Sequence, residues 1–277
     1  MQVKASPVFQ IFEQQHRDAK ELFLALGKQI KSKKVIELAG KMAFLELYSD
    51  LMSKIHFDKE GAGIDAFSPF KKLQKNLGKI HHFKLVEKSL KIRELKTELT
   101  FNSYRQFLEN HKKALYIETF DLIVGSTLKS WDDFLQKCHQ ASKDIKPLMI
   151  NTAINQIIQE ELEFLQINQK TQMDSRVLRD VFEGMRMIIM LENLLIHLGF
   201  NPIFTDSIHQ EIAGLKQNLK PWYSNHLELQ SLTQFLGEKE EVQKKYLEWV
   251  RDLRDEKRSL SSQVGKQAQQ LFSKILA

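Results

Sequence analysis

The chain has 277 residues, 42% of them hydrophobic and 27% charged, enough to bury a sizeable core and ordinary for a globular protein. Its net charge of +6 permits a polyanionic partner without requiring one. The single cysteine excludes an intramolecular disulfide, and eleven glycines and five prolines, few for this length, favour a wholly helical chain.

The opening MQVKASPVFQIFEQQ lacks the uninterrupted apolar core of a secretory signal. After Ser6-Pro7 the spacing predicts a helix from about Val8 to Ile30, with Phe9, Phe12, His16, Ala19, Phe23 and Leu26 along one side. A second runs from about Val35 to Ile55 and carries Leu38, Met42, Leu45 and Leu51. Gly61 to Ile64 reads as a loop, Ser68-Pro69-Phe70 as the next helix start, and Gly78 as that helix's end. A further helix is expected from about His82 to Glu98.

Asn102 to Gln140 holds amphipathic helices interrupted near Gly125 and Ser130, and the surroundings of Pro147 form the clearest midpoint break. Helices then cover roughly Leu148 to Asn168 and Ser175 to Leu198, the latter ended by Leu-Gly-Phe-Asn-Pro. Thr205 or Asp206 is placed to cap the next, which Lys220-Pro221-Trp222 is expected to break. The last spans Glu238 to Ile275; from Glu238 to Arg258 it carries seven basic and seven acidic residues, a solvated helix laced with ion pairs. The most apolar run, from Met185 to Phe200, is broken by Arg186, Glu192 and Asn193 and reads as a buried helix rather than a membrane span. The single Cys138 suits a reducing compartment, so a cytoplasmic chain is the plain expectation.

The densest charge lies from Phe70 to Lys96: nine basic residues against Glu87 and Glu94, hence +7. Lys71, Lys72, Lys75 and Lys79 fall within one arc of their helix, opposite Phe70, Leu73 and Leu77. Lys84, Lys88 and Lys91 cluster on one face of the next, opposite Phe83, Val86 and Leu90. Such lysines could follow a string of phosphates in a salt-dependent way, and His81 at a helix start could assist through nearby backbone amides. Polyanion-contacting residues are therefore expected at Lys71, Lys72, Lys75, Lys79, His81, Lys84 and Lys88. The same pattern also suits the wet outer face of a helical hairpin. A second basic group, Lys28, Lys31, Lys33 and Lys34, joins the first two helices.

No His-x-x-x-His, Glu-x-x-His or cysteine cluster offers metal-ligand spacing, and His81 and His82 point in different directions. No Gly-rich phosphate loop, nucleophile elbow or Cys-His arrangement supports catalysis, so a non-enzymatic protein without a cofactor is expected. The eighteen Phe fall at core spacing rather than beside the lysines, which argues against sequence-specific nucleic-acid recognition.

Sliding the chain by 142 residues places Leu73–Leu90 over Leu215–Leu232, with identities at Leu73/Leu215, Asn76/Asn218, Leu77/Leu219, Leu85/Leu227, Ser89/Ser231 and Leu90/Leu232. Both segments read as helix, short break, helix. This predicts an all-α fold of two antiparallel helical bundles related by internal duplication around a pseudo-twofold axis, residues 1–144 and 145–277.

Leu77-Gly78-Lys79-Ile80-His81-His82 with Leu85, and Leu219-Lys220-Pro221-Trp222-Tyr223-Ser224 with Leu227, resemble the paired motifs of the CHAD family, the conserved histidine α-helical domain. The likeness is to a divergent member, since His82 and Ser224 stand where that family has Asp and Lys220 replaces the second glycine. The resemblance implies binding of inorganic polyphosphate on a basic helical surface. The alternative is a helical interaction scaffold that kept the fold and lost that surface.

Overall fold

A computed structural model describes residues 7–30, 32–60, 65–169 and 173–276, so Lys31 and the loop expected at Gly61 to Ile64 lie outside the described residues. The described residues form nine α-helices and no strand: α1 (Pro7–Lys28), α2 (Ser32–Glu60), α3 (Lys71–Thr97), α4 (Asn102–Gly125), α5 (Leu128–Ala141), α6 (Pro147–Gln169), α7 (Ser175–His197), α8 (Asp206–Gly237) and α9 (Lys244–Ile275). A 3-10 turn, Ser68–Phe70, leads into α3. The all-α class is as the sequence predicts. None of these helices is long and apolar enough to cross a membrane.

The ends follow local chemistry. Pro7 and Pro147 open α1 and α6, where a missing N–H costs no helical bond. The Asp174 carboxylate accepts the amides of Arg176 and Val177 at 2.7 and 3.0 Å, and Thr205 Oγ1 accepts from the Ile208 amide at 3.5 Å, capping α7 and α8. Beyond α7, Gly199 takes φ +82°, a left-handed conformation that lets the Phe200 amide donate to the Leu195 carbonyl at 3.1 Å.

The chain forms two compact units. One comprises Met1–Phe83, Asn110–Gln156 and Leu195–Phe200; the other comprises Lys84–Glu109, Ile157–Leu194 and Asn201–Ala277. Each is assembled from three stretches, so the compact units do not follow the 1–144 and 145–277 halves expected from the sequence. The reason is that α3, α4, α6 and α7 each contribute residues to both units.

In the first unit α1, α2 and α5 pack on one another around an aromatic core. Phe12 stacks on Tyr48 at 4.2 Å and meets Phe134 edge-on at 5.4 Å, and Phe70 lies against Trp131 at 4.8 Å. His16 is buried within this group and its Nε2–H donates to the Trp131 carbonyl at 3.0 Å. Burial holds its pKa below the usual imidazole value, against the raising effect of that carbonyl.

In the second unit α8 and α9 run antiparallel, as contacts between Glu211 and Lys274, Asn218 and Gln267, and Asn225 and Glu256 show. Trp222, Phe235, Trp249 and Phe272 fill the core between them. Buried Glu192 of α7 accepts from the amides of Ile203 and Phe204, each at 3.0 Å, and pairs with His209 Nε2 at 3.0 Å, fastening the α7–α8 connection.

Two expected breaks are absent. Gly78 lies inside α3 and Pro221 inside α8, so Leu73–Leu90 and Leu215–Leu232 each sit within one uninterrupted helix. An interior glycine costs about 1 kcal/mol. Burying Leu77 and Ile80 on either side outweighs it, at about 1.5–3 kcal/mol each. Pro221 is exposed, where water can satisfy the carbonyl its ring leaves unbonded, while Leu219, Trp222 and Leu227 stay buried. The last helix begins at Lys244 rather than Glu238.

Candidate functional site

The continuity of α3 decides where its lysines point. At about 100° per residue, Lys71, Lys72, Lys75 and Lys79 occupy one arc of roughly 100°, while Lys84 and Lys88 lie on the opposite side of the same helix. The buried face switches to match, from Leu73, Leu77 and Ile80 in the first half to Val86 and Leu90 in the second. The predicted residues thus form two groups back to back, and no single face of α3 presents all of them.

All seven predicted positions are exposed. Lys71 pairs with Asp65 at 3.3 Å and Lys72 with Glu118 at 3.5 Å, so the acidic partners missing from the local sequence come from elsewhere in the chain. Exposed pairs of this kind hold their lysines weakly. Among the described residues no carboxylate pairs with Lys75, Lys79, Lys84 or Lys88. Of the second basic group, Lys28 and Lys33 are exposed and Lys34 is half-buried.

A different set of cations converges in the second unit. Arg179 and Arg186 are two turns apart on α7, hence on one face, and Lys216 and Lys220 are one turn apart on α8. The Lys216 ammonium is held below its usual pKa by burial and then by the positive charges of Arg186 and Lys220. Burial and Glu183 push the Tyr223 hydroxyl up, while Arg186 and Arg179 pull it down. Its ring stacks on Phe182 at 4.5 Å. His226 is held low by burial, then by Lys257 of α9 and Arg179. Lys257 Nζ approaches His226 Nδ1 to 3.1 Å, and burial lowers the Lys257 pKa as well.

Linked by these influences, the residues form a basic track along α8, to which α7 contributes Arg179 and Arg186 and α9 contributes Lys257. From Lys216 to His226 it follows ten residues of α8, about 15 Å. Its carboxylates are Glu183, paired with Arg186 at 2.7 Å, and Asp180, 3.5 Å from Arg179. Among the described residues no carboxylate pairs with Lys216, Lys220 or Lys257. Arg179 and Lys220 are exposed, and Arg186, Lys216, His226 and Lys257 are half-buried.

Sequence reasoning missed this track. The two-turn spacing of Arg179 and Arg186 was legible, but four basic positions spread over α8 and α9 acquire their relation to it only when those helices pack against that face.

Among the described residues no group of three His, Cys, Asp or Glu side chains could hold a metal ion. Burial pushes the Cys138 thiol up to about 12, so it carries no thiolate for nucleophilic chemistry at neutral pH. Compared with protein-family models, with curated proteins and with solved structures, the chain has no match.

Proposed function

We propose that this chain is a non-enzymatic binder of linear polyanions and that the α7–α8–α9 track is the main contact surface. Lys216 carries the reading: it is a half-buried ammonium beside two further cations, Arg186 and Lys220. Like charges that raise one another's energy are relieved by an anion laid across them, and its released counterions add to the gain. A track of about 15 Å suits a chain of several charged groups better than one phosphate. Inorganic polyphosphate is the ligand implied by the resemblance to the CHAD family, and an origin by internal duplication belongs to the same proposal. The exposed α3 residues Lys75, Lys79, Lys84 and Lys88 are secondary contacts on two separate faces. A cytoplasmic setting, in which the single Cys138 stays reduced, completes the reading.

The test is a titration with long-chain polyphosphate at low and high salt, on wild type, Lys216→Gln/Lys220→Gln and Lys75→Gln/Lys79→Gln. Expected are binding that weakens with salt and a larger loss from the α8 pair than from the α3 pair. A folded protein that does not bind at low salt would end the proposal.

One observation favours the interaction-scaffold alternative. Ile117, Phe120 and Val124 of α4 leave 54%, 37% and 59% of their surfaces exposed at i, i+3 and i+7, an apolar stripe on an outer helix. Absent polyphosphate binding, together with self-association abolished by Ile117→Lys/Val124→Lys, would favour that reading.

A further inference from the structure

We propose that a polyanion on the α7–α8–α9 track draws a proton onto His226 and releases Lys257 from it, so that Lys257 reaches the ligand; this rests on the polyanion reading above. The geometry sets up the exchange. An ammonium can only donate, so the 3.1 Å contact from Lys257 Nζ makes His226 Nδ1 an acceptor and leaves the imidazole proton on Nε2. The ring is held there: it lies flat on Trp222, 5.3 Å between centroids and 4° between planes. Trp222 is itself fully buried and donates Nε1–H to Ser261 Oγ at 3.0 Å.

His226 faces positive charge from both neighbouring helices, Lys257 on α9 and Arg179 on α7. The surrounding carboxylates are engaged elsewhere. Glu256 of α9 accepts from Asn225 Nδ2 at 3.0 Å, Asp180 of α7 lies 3.5 Å from Arg179, and Glu183 of α7 pairs with Arg186. On α8 itself, Glu228 is buried among Ser89 and Trp249. A proton on Nδ1 would place two cations about 3 Å apart with no anion between them, so the free protein keeps His226 neutral.

A polyanion reverses this balance. It screens Arg179 and offers Lys257 stronger acceptors than an imidazole nitrogen. Once Lys257 turns to the ligand, Nδ1 takes a proton from solvent and the track gains one positive charge. The only bonds exchanged are hydrogen bonds, and solvent supplies the proton.

The experiment is calorimetric titration with long-chain polyphosphate, whose internal phosphates stay ionised from pH 6 to 8, in two buffers of different ionisation heat at fixed salt. Wild type should take up protons on binding, and its Kd should tighten by up to about tenfold per pH unit below neutrality. In His226→Gln the uptake should vanish and Kd should lose this pH dependence. Salt-dependent binding with no proton uptake, or equal uptake in the variant, overturns this inference and leaves the polyanion reading standing; no binding at any pH removes both. A ligand-free arm stands on its own: NMR titration of the His226 ring should move upward in Lys257→Met, and an unmoved ring overturns the inference.

Discussion

Asn225 Nδ2 on α8 donates to the Glu256 carboxylate on α9 at 3.0 Å, and one turn further along α8 Glu228 is only 7% exposed. Burial pushes the Glu228 carboxyl up to about 7, aided by the charge of Glu256 and opposed by hydrogen bonds from Ser89 and Trp249 and by Arg93. Its folded pKa therefore lies above the ordinary 4.5, so the folded state binds this proton more tightly than the unfolded one. The associated stability is complete below about pH 4.5 and lost as pH rises through 7, about 3 kcal/mol in all. Denaturant melts at pH 5 and pH 8 should show Glu228→Gln gaining stability over wild type at pH 8 and little or none at pH 5. An equal difference at both values would show that Glu228 does not titrate in this range.

His16 in the first unit has the opposite sign. Its pKa is lowered, chiefly by burial, so its contribution is present above the ordinary 6.5 and lost as pH falls through the folded value. Hydrogen exchange at pH 5.5 and 8, corrected for intrinsic rates, should therefore show α1 and α5 weakened at the lower pH, and His16→Gln should lessen that difference. An equal difference in wild type and variant contradicts the assignment.

Two glycines should respond oppositely to alanine. A Cβ at Gly78 meets nothing within 4 Å, so Gly78→Ala should stabilise α3 by about 0.5–1 kcal/mol. At Gly184 of α7 the added Cβ collides with Glu161 Oε1 and lies 3.0 Å from Leu165 Cδ1, so that variant should lose about 1–3 kcal/mol. Urea midpoints of both proteins decide the matter, and a stabilised Gly184→Ala would refute the close α6–α7 approach.

Glu192 should act as a fastener. Replacing it with Ala strips the acceptor from the Ile203 and Phe204 amides and removes the carboxylate beside His209. A loss of about 2–4 kcal/mol is expected, less for Gln, which keeps an acceptor oxygen. Exchange of the Ile203 and Phe204 amides should accelerate before the rest of the second unit loosens.

The basic track predicts a change of slope as well as of affinity. Each lysine that contacts phosphate contributes roughly one unit to the dependence of log Kd on log salt. Lys216→Gln/Lys220→Gln should lower that slope by about two units, measured from 50 to 300 mM salt. An unchanged slope would place the ligand off α8.

By itself the sequence determined the helices and most of their inward faces. Phe9, Phe12, His16, Ala19, Phe23 and Leu26, read from periodicity alone, are the buried side of α1, and the Thr205 and Gly199 boundaries stand where their side-chain and backbone chemistry puts them. Such signals are local, written within one or two turns. Tertiary structure decided what those signals could not. Gly78 and Pro221 carry penalties of about 1 and 3 kcal/mol, which favour a break in an isolated segment. Packing of Leu77, Ile80, Leu219 and Trp222 overrides them, and an uninterrupted α3 turns its two lysine groups away from each other. The same packing gathers Arg179, Arg186, Lys216, Lys220 and Lys257 from three helices into one track. Charge density along the chain is therefore a poor guide to charge density in space, because a helix spreads neighbouring residues around its axis and only contact between helices brings distant ones together.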